Sequence, residues 1–168
     1  MSAKQLYPSS FHEGASAEEL FMQLARAHFK SVERASPNSD MNRHFDVVLD
    51  NGAYTVDVKG MKRISRHDDA VQDDWFWIEL HGVRPNDLGW LLHGEASWIA
   101  FERRQDFVVV DRVALIALVL ERVQFSSRVN DPACAHYRVY SRANRPDQLT
   151  LVAASDVLCI ARAVWPKM

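Results

Sequence analysis

Leu20, Phe21, Leu24, Ala25, His28 and Val32 recur at helical intervals behind Ser16-Ala17-Glu18-Glu19, whose S-x-x-E spacing is that of a capping box. The spacing predicts a first helix over about Ala17 to Arg34. Pro37 and Asn38 close it, leaving Ser36 to Arg43 as a polar loop. The period then changes from helical to alternating. His44 to Leu49 and Ala53 to Gly60 are short runs rich in Val and aromatic residues, and Asp50-Asn51-Gly52 between them is a strong hairpin signal. In the second run Tyr54, Val56 and Val58 share one face, and Thr55, Asp57 and Lys59 share the other. A third strand follows at Asp74 to His81, where Phe76, Ile78 and Leu80 alternate with Trp75, Trp77, Glu79 and His81. Gly82 and Pro85 end it.

Downstream, Asn86 to His93 reads as a short helical turn, Ser97 to Glu102 and Asp106 to Asp111 as strands, and Arg112 to Val123 as an apolar helix. Tyr137 to Arg142 and Gln148 to Val152 read as two more strands, with Ser155 capping a last helix through Ala161. No repeat, low-complexity tract or Gly/Ser linker interrupts the 168 residues, so a single domain over 1–168 is expected. Helix, strands, helix, strands and helix in that order predict an α/β fold with a mixed sheet covered by helices.

Composition narrows the class. The longest apolar run, Val113 to Leu120, is far short of the about 20 residues a spanning helix needs, so no membrane partner is expected. The first residues, MSAKQLYPSSFHEG, have no apolar signal core, and Cys134 and Cys159 are too few for a disulfide framework. A cytoplasmic location is the expectation. Net charge is −2, which by itself speaks against a nucleic-acid partner. The distribution speaks for one: the last 45 residues carry six basic and three acidic groups, and Lys59 to Arg66 holds four cations and no anion.

The chemistry concentrates on the hairpin. Asp57 and Lys59 point the same way, and pairing brings Asp46 beside them, so two carboxylates and an ammonium share a small volume. Two close carboxylates disfavour joint ionisation, and a divalent cation removes that conflict. Oxygen ligands favour Mg²⁺, with Mn²⁺ as a substitute, bound by Asp46 and Asp57, and the Val58 carbonyl is a further candidate oxygen. Such a metal acidifies a bound water and offsets charge developing on a phosphoryl oxygen, while Lys59 orients the water or stabilises the same anion. The reaction this implies is phosphodiester hydrolysis. The competing reading of Asp57 and Lys59 is an exposed strand pair bridging to neighbours.

With an acid on one strand and Asp57-Val58-Lys59 on the next, the chain resembles the PD-(D/E)XK nuclease superfamily. The resemblance runs from Gly14 to Lys62. Phe45 stands where Pro often precedes the first acid, and the second acid is Asp rather than Glu; the motif tolerates both. The order of first helix and hairpin is similar to that of the archaeal Holliday-junction resolvases, in which a helix Glu joins the metal site. Ala17-Glu18-Glu19-Leu20 is the matching position. Glu18 is favoured because Phe21 and Ala25 lie on its helix face, leaving Glu19 to the capping box, although Glu18 also fits an ordinary first-turn helix charge. The resemblance implies a three-layer α/β/α, restriction-endonuclease-like fold (αβββαβ core) with a central mixed sheet of four to five strands. It implies a Mg²⁺-dependent DNA endonuclease with Asp46, Asp57, Lys59 and Glu18 at its site. A homodimer follows from cutting two strands with two sites. The alternative is a nucleic-acid-binding or protein-interaction module that keeps the fold without cutting.

Lys62, Arg63 and Arg66 are candidates for phosphate contacts flanking the scissile bond. Glu79 joins the site if its strand lies beside the hairpin, and Arg128, Arg138, Arg142 and Arg145 are candidates for a second phosphate-binding surface. The tryptophans suggest stacking on unpaired bases, with Trp98 and Trp90 better suited to core packing. His28 reads as a packing residue.

Overall fold

The computed structural model describes residues 10–82, 86 and 88–168, with side chains described from residue 16 onward. Its elements are α1 (Ser10–Ala25), β1 (Val32–Arg34), α2 (Pro37–Arg43), β2 (Val47–Leu49), β3 (Tyr54–Lys59), β4 (Trp75–His81), α3 (Gly89–His93), β5 (Trp98–Glu102), β6 (Asp106–Asp111), α4 (Arg112–Arg122), β7 (Gln124–Val129), β8 (Arg138–Ser141), β9 (Gln148–Ala153), α5 (Ala154–Cys159) and β10 (Ala161–Pro166). Pro85, expected to stop the β4 strand, lies outside the described residues.

The fold is mixed α/β, but its strands form two sheets rather than one of four to five strands. A six-stranded sheet runs β1-β2-β3-β5-β6-β10 and a four-stranded sheet runs β4-β9-β8-β7. The division follows from which faces are apolar. In the six-stranded sheet Val47, Leu49, Val56, Val58, Ala100, Phe107 and Val109 pack under α1 through Ala17, Phe21 and Ala25. The opposite face, carrying Ile99, Phe101, Val108 and Val110, meets Phe76, Ile78 and Leu80 of β4 together with α3, α4 and α5. A strand with apolar residues on both faces belongs in the middle of such a stack, and β5 and β6 are buried along nearly their whole length. Phe76 stacks on Phe101 at 4.3 Å, joining the two sheets beside the end of β3.

The hairpin forms as expected, with Val47 opposite Val56 and Leu49 opposite Tyr54. Asp50, Asn51 and Gly52 turn the chain with φ of 47°, 55° and 96°, left-handed values that Asp, Asn and Gly tolerate better than other residues. On its other edge β3 pairs in parallel with β5, so Asp57 lies opposite Ile99 and Lys59 opposite Phe101.

Several boundaries differ from the expectation, each through a tertiary or capping interaction. The first helix begins at Ser10, which puts Ser16 inside it and removes the capping box, and it ends at Ala25 rather than Arg34. Lys30 and Ser31 donate their backbone N–H groups to Asp50 Oδ1 at 2.8 and 3.4 Å, and Asp50 N–H returns a bond to the Ser31 carbonyl at 3.0 Å. That clamp turns Val32–Arg34 into an edge strand on β2. The polar stretch at 37–43 is a helix, because the Ser36 side chain accepts from Ser39 N–H and Pro37 sits in the first turn, where its missing N–H costs nothing. Ser155 lies inside α5 rather than capping it, and the helix stops at Cys159, after which β10 pairs with β6.

The clamp gives a measurable consequence. Asp50→Ala removes both acceptor contacts and puts a residue without a polar side chain at positive φ, so urea unfolding should show about 2 kcal/mol lost. An unchanged unfolding midpoint would contradict the assignment of β1 to this interaction.

Candidate functional site

A cleft of about 340 Å³ opens where β3 ends, between the two sheets, and its lining includes Glu18, Asp46, Asp57, Val58, Lys59, Lys62, Glu79 and Trp90. Strand alternation turns Asp57 and Lys59 away from α1 toward the second sheet, with Val56 and Val58 beneath α1. Asp57 is 3% exposed. Its Oδ1 accepts from Lys59 Nζ at 2.7 Å, and its Oδ2 is buried with no hydrogen-bond partner. The pair is therefore a buried carboxylate and a half-buried ammonium in a cleft wall rather than the exposed strand pair of the competing reading. Lys59 Nζ also lies 4.5 Å from the Trp90 ring centroid, a cation–π contact that fixes the ammonium from a second side.

Asp46 precedes β2 and extends the hairpin ladder with its side chain. Its own N–H donates to the Val56 carbonyl at 2.8 Å, and its Oδ2 accepts from Val58 N–H at 2.7 Å. Burial, and next the negative charge of Asp57, push its carboxyl up to about 8 from an ordinary 3.8; the Val58 N–H and the Lys59 charge oppose the rise. Glu18 adds to the rise, so three acids share one field.

Glu18 lines the cleft from α1, above buried Phe21 and Ala25 as its helix face requires, and pairs with Arg34 of β1. Glu19, freed from any capping role, reaches the same guanidinium at 3.4 Å. Among the described residues no three His, Cys, Asp or Glu side chains converge as a ready metal cluster. A magnesium ion needs only one or two carboxylates with waters, and the partnerless buried oxygen of Asp57 beside Asp46 is a donor set that fits it.

Glu79 reaches the cleft from the four-stranded sheet, not from a strand beside the hairpin, since β5 occupies that place. It accepts from Trp90 N–H at 3.3 Å. Lys62 lines the cleft and is exposed, Arg66 is exposed further along the loop, and the Arg63 carbonyl accepts from Trp77 Nε1 at 2.9 Å. Trp98 and Trp90 are buried as expected, and Trp90 has a second role under Lys59. His28 is exposed and stacks on Trp165 at 4.9 Å. Gln72, which no pattern singled out, clamps the loop between β3 and β4. Its Nε2 donates to the Lys62 and Trp75 carbonyls at 3.2 and 2.8 Å, and its Oε1 accepts from Asp74 and Trp75 N–H at 3.0 and 2.8 Å. A lone loop glutamine carries no periodic signal, so these bonds are visible only in three dimensions.

Comparisons with protein families, with curated proteins and with solved structures found no match to this chain. The cleft is thus read on its own chemistry. No described helix is long and apolar enough to cross a membrane, and both cysteines are free and exposed.

The raised carboxyl of Asp46 sets a pH dependence. The folded protein holds this proton between about pH 4 and about pH 8, whereas the unfolded chain releases it near 3.8, so this site's contribution to stability is greatest below that value and is lost as pH rises toward 8. Without divalent ions the thermal midpoint should fall between pH 5 and 8, and Asp46→Asn should flatten the fall. An equal slope in the variant would contradict the shift.

Proposed function

We propose that this protein is a metal-dependent endonuclease that hydrolyses DNA phosphodiester bonds at the Asp46, Asp57, Lys59 cleft, on a restriction-endonuclease-like three-layer core. The observation that carries the reading is the buried Asp57 carboxylate, bound to Lys59 through one oxygen and partnerless at the other. A buried unsatisfied charged oxygen costs about 1–3 kcal/mol or more, a cost that a cation at this position removes. Asp46 and Asp57 would hold Mg²⁺ or Mn²⁺, with the Val58 carbonyl as a further donor and Glu18 as an auxiliary one. Bound there, the ion would acidify a water and offset charge on the phosphoryl group.

The chain's own groups do the rest. Asp46 gives up its proton in order to act as a ligand, so ion affinity rises with pH up to about 8. Lys59, steadied by Asp57 and the Trp90 ring, presents an ammonium for the attacking water or the developing anion. Glu18 becomes available when Arg34, itself half-exposed, turns outward. Lys62 and Arg66, with Arg63 between them in sequence, supply phosphate contacts that position a backbone without reading bases. A homodimer would supply two such sites for two strands.

Incubation with Mg²⁺ and branched, linear duplex and single-stranded DNA should give cleavage of at least one. Lys59→Ala should lower the rate by about a hundredfold or more, while circular dichroism shows the fold retained. Uncut DNA in all three cases, or full activity in the variant, would overturn the proposal; salt-sensitive binding without cutting would point to a module that no longer cuts.

A further inference from the structure

Strand alternation gives the four-stranded sheet a second face that the core does not use. Phe76, Ile78 and Leu80 of β4 point into the core, so Trp75, Trp77 and Glu79 point away from it. The ladder carries that face across to β8, where Tyr140 lies opposite Leu149 and Leu149 opposite Glu79. The rings meet there: Trp77 and Tyr140 have centroids 5.6 Å apart, and Trp75 meets His136 edge-on at 4.2 Å. All four residues are half-buried, so each keeps some surface open to solvent. Trp75, Trp77 and Leu149 also line the Asp57 cleft, so the aromatic surface borders the site.

Cations border the same surface. Lys62 and Arg66 come from the loop between β3 and β4, and Arg142 and Arg145 follow β8. Arg142 is paired with buried Asp147. None of Lys62, Arg66 and Arg145 pairs with a carboxylate among the described residues. Burial, and then the charges of Arg145 and Arg66, hold the Arg142 guanidinium below its usual value, so both of those cations lie within reach of Arg142. Glu79 lies on the same face, at the cleft end.

We propose that this outer face is a track for single-stranded DNA, leading an unpaired strand into the cleft. Like charges left without counterions suit a polyanion, and half-open rings suit a polymer that offers flat π-faces. A duplex offers the phosphates but hides its base faces in the stack; an unpaired strand offers both. The inference rests on the nuclease reading for the identity of the polymer and for the strand's destination, and deepens it by naming the substrate class.

The test is anisotropy of a labelled thymidine oligonucleotide of about 20 nucleotides against a duplex of equal length, in EDTA so that nothing is cut. The single strand should bind at least about tenfold more tightly and quench tryptophan fluorescence, and the Arg66→Glu, Arg145→Glu double variant should lose about tenfold in affinity and flatten the salt dependence. Both side chains are exposed, so the thermal midpoint should stay in place. Equal or tighter duplex binding, or unchanged binding by the double variant, would overturn the proposal. Binding of the single strand by a protein that never cuts would sustain this inference and overturn the nuclease reading. Duplex cleavage without single-strand binding would do the reverse.

Discussion

The carboxylate of Asp57 sits between two sheets with one oxygen on Lys59 and the other facing no donor, and the surrounding structure is what holds it there. A charge in that position is expensive, and a lone strand would leave it in water. Burial is enforced by apolar neighbours on three sides: Val56 and Val58 beneath α1, Ile99 opposite in β5, and Phe101 stacked on Phe76 of the second sheet. Each fully buried side chain of this size contributes about 1.5–3 kcal/mol, so a handful outweighs one strained carboxylate. The cleft exists because the core tolerates that strain.

The same geometry couples the other groups to Asp57. Asp46 is held by the Val58 N–H at the end of the hairpin ladder, yet its burial, with the charge of Asp57 beside it, keeps its proton on against that bond. Lys59 is held by a carboxylate on one side and an indole on the other, so its ammonium is oriented before any ligand arrives. Glu18 and Arg34 form an ion pair at the rim, bringing α1 and the edge strand β1 together. A cation entering the cleft would offset the negative charge that these acids share once Asp46 has lost its proton.

Much of this was readable from residue order, and the failures have identifiable causes. The hairpin, the facing of Asp57 and Lys59, and strands β4, β5, β6, β8 and β9 follow from alternation and from Asp50-Asn51-Gly52, because each of those strands buries a face of large side chains. β10 escaped notice because Ala161 and Ala163 are too small to mark a periodic face, although Trp165 anchors it against Phe21 at 5.1 Å. β7 is an open edge of Gln, Ser and Arg and carries no apolar alternation. The end of the first helix differs because His28 and Val32 keep the helical period while Asp50, some twenty residues away, captures the backbone between them. For the site, residue types and strand facing were legible. Glu79's approach from another sheet, the indole under Lys59 and the Gln72 clamp were not, since each depends on the packing of the two sheets.

Crystals equilibrated with Mn²⁺ and read by anomalous scattering test the central claim most directly. The account predicts an anomalous peak at a metal–oxygen distance of about 2.0–2.2 Å from the Asp57 oxygen that now has no partner, with Asp46 as a second ligand. A peak elsewhere on the molecule with none at this oxygen, or none at all at millimolar Mn²⁺ and a pH of about 8, would contradict it.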